Sequence, residues 1–325
     1  MAKLPSLKFL TSSPNYVDYR PAVDASGELV VFERTPLGSD ITILTAVFDF
    51  AAPQAKPFLS SAAGAALPPC QTRPDWCWLS GGLLFNGSQT NNTNAVTVWH
   101  LASTFSAPTE IPNTLQCFYP TWSLSGTSFV TENHAGNPGG NQGPCNSIFD
   151  TSGKSVALNI DGNDANQTPL FGGMPSTSGL DLPYIAFAGQ PAIVDWGGAS
   201  GITYNEDKNY IFLNDQTDSV STPMEPGASQ QLQSYDLTYQ ARAPAWSPDG
   251  KTIAFESNRS GQGYAIYLFD IATSTVTQVT DPALGGQHAK FFPDGSKLIL
   301  TIHHPDGTPK TMGIAWVDIT NLLNP

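Results

Sequence analysis

Three of the five arginines in this chain, Arg20, Arg73 and Arg242, fall at or beside one recurring place, immediately before a proline or alanine that opens an apolar stretch. Tyr119, Gln190, Ala243 and His288 hold the same place elsewhere. In a protein of formal net charge −13, such a gathering of guanidinium groups makes a local positive funnel. Its chemistry suits a carboxylate, from an acidic sugar or a peptide terminus, because the planar fork of arginine meets a carboxylate with two parallel hydrogen bonds. The structural alternative is that each arginine pairs with an Asp or Glu of a neighbouring element and staples the fold. Tyr119 and Trp196 offer aromatic faces for stacking on a ligand. The candidate ligand contacts are therefore Arg20, Arg73, Tyr119, Gln190, Trp196, Arg242 and His288, and no catalytic residue is assigned.

Other chemistry has less support. A metal site needs about three converging ligands. Of the five histidines, His288 alone holds the recurring place, while His134 could reach it from a loop. The runs "NGSQTNNTN" and "DGNDAN" are rich in oxygen donors but lack EF-hand spacing. No cofactor is expected, with calcium or another divalent ion as the minor alternative. There is no Gly-x-Ser-x-Gly elbow, and "GGNQG" and "WGGASG" lack the lysine and helix of a phosphate loop. Only 14 basic residues, thinly spread against 27 acidic ones, disfavour nucleic acid and anionic membrane surfaces as partners. No run of about 18 apolar residues predicts membrane insertion.

These side chains need elements to position them. With 29 Gly, 27 Pro and only 13% charged residues, the composition describes short strands separated by turns. A repeat organises them. "YRPAVDASGELVVFER", "TRPDWCWLSGGLLFNG", "YPTWSLSGTSFVTEN", "RAPAWSPDGKTIAFES" and "QHAKFFPDGSKLILTIHH" share a Pro or Ala, a turn with Gly27, Gly81, Gly126, Gly250 or Gly295, and an alternating apolar strand. The gap between Gly126 and Gly250 is more than twice the others, and "QPAIVDWGGASGITYNEDKNYIFLND" is read as the copy hidden there. Third strands end in Asp49, Asp150, Asp270 and Asp318, and most are followed by a fourth, as in "SVALNI" and "TVTQVT". The expected units are approximately 13–62, 70–113, 117–160, 188–225, 240–281 and 286–320, with 161–189 as a long insertion. Little chain remains after Asp318, whereas "SLKFLTSS" near the N-terminus is an orphan strand. The strand at 6–12 is expected to complete the last unit and remove a free edge.

The stretch "PAWSPDGKTIAFESNRSGQGYAIYLFD" resembles the WD40-like (PD40) repeat of TolB-like six-bladed β-propellers, and "FFPDGSKLILT" is a second good match. The resemblance covers nearly the whole chain and implies an all-β, six-bladed propeller without TolB's N-terminal α/β domain. It implies a function among protein-binding modules, carbohydrate-binding proteins and occasional lyases or hydrolases. The recurring residues would then ring the central channel on one face. Asn133–Asn146 and Asp161–Gly189 would overhang that face, and Cys117 and Cys145 would lie close enough for a disulfide pinning the first loop.

The resulting expectation is an exported, periplasmic or secreted binding protein for a carbohydrate or protein partner. The opening "MAKLPSLKFL" lacks the apolar core of a signal peptide, so export implies that a native leader has been replaced by this start. The rival function is a lyase or glycan hydrolase acting on uronic-acid oligosaccharides. Propeller lyases hold a divalent metal with channel histidines, a pattern from which most of the ring positions here depart.

Overall fold

The computed structural model describes residues 4–59, 67–89, 95–104, 106–123, 126–135, 143–158, 160–164, 168–178, 184–191, 209–216, 220–225, 238–303 and 311–323. After a short β1 (Leu7–Phe9), the strands β2 (Tyr16–Val23), β3 (Val30–Pro36), β4 (Ile43–Val47) and β5 (Lys56–Pro57) run as an antiparallel meander. The plan recurs in β6 (Cys70–Trp76), β7 (Leu83–Ser88), β8 (Thr97–Leu101) and β9 (Thr109–Glu110), and again in β10 (Cys117–Trp122), β11 (Ser128–Asn133), β12 (Cys145–Asp150) and β13 (Ser155–Ala157). A further meander is β14 (Leu170–Thr177), β15 (Ile185–Pro191), β16 (Tyr210–Asn214) and β17 (Thr222–Pro223). It is followed by β18 (Ala241–Trp246), β19 (Thr252–Ser257), β20 (Ala265–Asp270) and β21 (Thr275–Gln278). The last strands are β22 (Gln287–Phe291), β23 (Lys297–His303) and β24 (Met312–Asp318).

β1 pairs antiparallel with β24, Leu7 opposite Val317. One parallel bridge, Val17 to Met312, joins β2 to β24, so the first and last meanders share an eight-stranded sheet beside four four-stranded ones. The inner strands β2, β6, β10, β14, β18 and β22 each pack on the next, and β22 packs on β2. The fold is an all-β propeller. Among the described residues no helix is long and apolar enough to cross a membrane.

Local chemistry explains the meander. In the turn between β18 and β19, the Ser247 hydroxyl donates to Asp249 and accepts the Thr252 N–H, while Gly250 takes φ 67°, a left-handed value that glycine adopts without a Cβ clash. Phe32, Phe85, Phe187 and Phe255, central in second strands, are fully buried between sheets. Trp76, Trp122 and Trp246 wedge against Phe58, His100 and Tyr184 of the preceding sheets. Burial of each ring is worth roughly 2–3 kcal/mol.

Two expectations are corrected here. The innermost strand of the fourth meander is β14, inside the segment read as an insertion, and Gln190 lies in the second strand, opposite Phe171. "Gln-Pro-Ala" imitated the repeat, but the Pro that matters is Pro175. Cys117 and Cys145 form no disulfide. Both are opposite Asn133 on its two sides, which separates them by two strand spacings, about 9.5 Å, too far for a bridge limited to about 7 Å. Burial pushes the Cys117 thiol up to about 12.

Candidate functional site

Every inner strand carries the same irregularity. Arg20, Arg73, Tyr119, Met174, Ala243 and His288 have φ between 44° and 52°, and each sits where the pairing register shifts. These are β-bulges that re-aim a side chain. A left-handed conformation costs a residue with a Cβ about 1–2 kcal/mol, and the neighbouring sheet supplies compensation. The Arg20 N–H is donated to Thr301 Oγ1 at 3.1 Å, that of Arg73 to Glu33 Oε1 at 2.7 Å, and that of Tyr119 to Asn86 Oδ1 at 3.2 Å. Met174 donates to Glu132 Oε2 at 3.0 Å, and His288 to Glu256 Oε2 at 2.8 Å. Ala188 occupies the corresponding second-strand position before Ala243, where it has no side-chain acceptor to offer.

The three arginines differ in what they face. Arg20 Nη1 lies 3.1 Å from Glu33, and Arg242 Nε is ion-paired with the fully buried Glu256. Burial, the largest influence on each, opposes both guanidinium charges, yet Glu33 with Tyr119 and Tyr19, and Glu256 with Tyr264 and Tyr19, together outweigh it and raise their pKa values. Arg73 has no carboxylate partner among the described residues. Asn86 stands where the other two have glutamate, and its amide donates to the Thr97 and Cys117 carbonyls at 3.2 and 2.8 Å. The Arg73 guanidinium lies against the rings of Phe118 and Tyr119, and its Nε is buried without a hydrogen-bond partner.

His288 joins this cluster. Its Nε2 is 2.9 Å from the Tyr19 hydroxyl, which also donates to Gln287, and its ring stacks at 6.4 Å on Tyr119. Burial first, then the charges of Arg20, Arg242, Lys290 and Arg73, hold His288 well below the usual imidazole range, so it is neutral. Burial also pushes the Tyr19 phenol up. The arrangement leaves the Arg73 guanidinium against Tyr119 with no carboxylate beside it among the described residues.

Below the ring, Pro21, Pro74, Pro120, Pro175 and Pro244 narrow the same cavity to a neck, and ring and neck together hold about 50 Å³ of free space. Asp75, Thr121 and Lys290 line both the neck and a wider chamber of about 610 Å³ at the turn end of the channel. Lys290 Nζ reaches across to Asp75 Oδ1 at 3.1 Å, and Asp75 Oδ2 accepts the Trp122 N–H at 3.0 Å.

The structure thus brings Arg20, Arg73, Tyr119 and His288 to one cavity. Arg242 lies one residue before the ring, over Tyr264 at 4.4 Å. Gln190 is elsewhere, buried, with its amide on Asn209 at 3.4 Å. Trp196 lies outside the described residues, as does 136–142 of the Asn133–Asn146 loop. Sequence reasoning missed Met174, Asp75, Lys290 and the second-strand acceptors Glu33, Asn86, Glu132 and Glu256. The acceptors had a signal: five of the six ring residues, all but Met174, are followed thirteen positions on by a polar residue inside an otherwise apolar strand. Among the described residues no three His, Cys, Asp or Glu side chains converge as metal ligands.

No family model matches the chain. Over 64 residues it is 33% identical to the uncharacterized peptidase YuxL of Bacillus subtilis (strain 168), a match taking in 20% of this chain and only 10% of that protein. A putative TolB from Agrobacterium tumefaciens superposes with TM-score 0.57 at 16% identity, covering 82% of this chain and 81% of the other. An oligogalacturonate lyase from Vibrio parahaemolyticus does so with TM-score 0.52 at 12% identity, covering 98% and 96%. At these identities the likeness is one of fold, and in fold the chain is a TolB-like β-propeller.

Proposed function

We propose that the chain is a six-bladed propeller closed by β1, and that it acts as a binding module taking an anionic group of a carbohydrate or protein partner at the arginine end of its channel. The blade count is supported by the eight-stranded sheet, which divides at the Val17–Met312 bridge into two four-stranded halves, β2–β5 and β22–β24 with β1. The observation that carries the function is Asn86. It leaves Arg73 without the counter-charge that Arg20 and Arg242 have, beside a neutral His288 and against the ring of Tyr119. A carboxylate would supply the missing charge and bond the guanidinium.

The test is calorimetric titration of wild type and Arg73→Ala with trigalacturonate and with a short peptide bearing a free C-terminal carboxylate. Binding that Arg73→Ala weakens at least about tenfold, or 1.4 kcal/mol, supports the reading, and salt should weaken it too. Binding of either probe that is indifferent to Arg73 sinks it. The rival, eliminative cleavage of uronic-acid oligomers, draws on the neutral His288 as a base beside arginines. His288 already hydrogen-bonds Tyr19 and is buried. Unsaturated product that His288→Asn fails to form would make the rival correct.

A further inference from the structure

The chamber at the turn end of the channel is a second cavity, separated from Arg73 by the proline neck. Its volume, about 610 Å³, falls in the range of small-ligand sites. Its floor is charged but balanced, since Lys290 and Asp75 form a pair at 3.1 Å. An anion or a cation would have to compete with one member of that pair. A neutral ligand would meet both: the ammonium has three N–H groups, of which Asp75 takes one, and the carboxylate keeps acceptor capacity beyond Lys290 and the Trp122 N–H.

The neighbouring hydroxyls extend the same alternation. Thr121 Oγ1 donates its proton to the Pro175 carbonyl at 3.0 Å, so toward the chamber it offers lone pairs. Ser176 Oγ accepts the Trp246 N–H at 3.3 Å, so its own proton remains to be donated. Donor, acceptor, acceptor and donor are thus set around the chamber on four inner strands. Hydroxyl groups on adjacent ring carbons, each able to give and accept, satisfy such a lining, whereas a hydrocarbon would strand it.

The opposite requirement is met at the rim. Trp78 is 36% exposed, and its indole N–H is tied to the Val23 carbonyl of the neighbouring sheet at 3.0 Å. Leu79 beside it is 75% exposed. An indole fixed by its N–H and partly exposed in the chamber lining is a platform for the flat C–H face of a sugar ring, apolar on one side and hydroxylated at its edge. We infer that the chamber is a binding site for the end of a neutral oligosaccharide, stacked on Trp78 and hydrogen-bonded to Asp75, Lys290, Thr121 and Ser176. This site is independent of the anionic site at Arg73.

The inference is tested with neutral probes, cellohexaose, maltohexaose and chitohexaose, titrated at up to millimolar concentration and followed by tryptophan fluorescence and calorimetry. One probe should shift the emission and bind, with Trp78→Ala weakening binding at least about tenfold and Trp78→Phe retaining most of it. Leu79→Arg, at a position exposed enough to leave folding intact, should also weaken it by crowding the rim. Arg73→Ala should leave it unchanged. No binding of any neutral probe overturns the inference, as does binding lost in Arg73→Ala but preserved in both Trp78→Ala and Leu79→Arg. Because the probes here are uncharged and the Arg73 probes are carboxylates, either site can fail without the other.

Discussion

Arg242 and Arg73 sit at adjoining positions of the same bulge in two inner strands, Arg73 on the left-handed residue and Arg242 just before it, yet one is a staple and the other an open charge. Across from Arg242 stands Glu256, completely buried, bonding the guanidinium with one oxygen and the His288 N–H with the other. Across from Thr72, which precedes Arg73, stands Asn86, whose amide group is committed to two carbonyls. Both second-strand residues cap a left-handed neighbour, so the amide and the carboxylate do the same structural task. The lesson is that one repeated device, the capped bulge, tolerates Asn or Glu for folding, and the choice sets whether the channel mouth carries uncompensated charge.

The largest test of this contrast is stability. Arg242→Ala strands Glu256 as a buried, unpaired carboxylate and should cost about 3–5 kcal/mol in urea unfolding, whereas Arg73→Ala should cost under about 1 kcal/mol. Equal losses would erase the distinction between staple and open charge. Next is Asn86→Asp, which gives Arg73 a counter-charge but removes the two bonds to the Thr97 and Cys117 carbonyls. It should lose about 2 kcal/mol of stability and, if folded, weaken carboxylate binding.

A smaller effect is pH-dependent. His288 is held below its ordinary value of 6.5 in the folded protein, so the unfolded chain binds this proton more readily. Its contribution is complete above pH 6.5 and is lost as pH falls below it, with a slope of up to about 1.4 kcal/mol per pH unit. Chemical denaturation at a series of pH values should show wild type losing stability faster than His288→Asn in acid; parallel curves would place a charged or exposed imidazole in the ring. The smallest change is expected at Ala243. It has φ 48° and faces Ala188 rather than a side-chain acceptor. Ala243→Gly relieves the Cβ strain at some entropic cost and should stabilise by about 0.5 kcal/mol, seen as a small rise in thermal midpoint.

The repeat was legible wherever Pro, an aromatic and a glycine turn coincide, as in "RPDWCWLSGG" and "APAWSPDG". It failed at "GGMPSTSG", where Met174 and Thr177 replace the polar or charged and aromatic residues. There the second strand was the better guide, because "IAFAG" at Ile185 matches "IAFES" at Ile253 and would have put the inner strand in the right place. The arginine cluster was visible from its spacing. Which arginine is paired was not, because the answer lies in a strand thirteen residues on, brought opposite by pairing rather than by sequence proximity. The chamber was hidden for a similar reason: Asp75 and Lys290 are 215 positions apart and meet across the channel. Trp78 owes its exposure to the turn that follows β6.

The pairing of β1 with β24 also sets a schedule for synthesis. The Thr11 hydroxyl accepts the N–H of Ile314, 303 positions away, so the seam cannot form until nearly all of the chain has left the ribosome. At about 5–20 residues per second, β1 waits roughly 15–60 s with its edge unpaired. During that interval the nascent chain is a row of strands open at one end, and a chaperone that covers an extended apolar strand would have its longest opportunity at Leu7–Phe9.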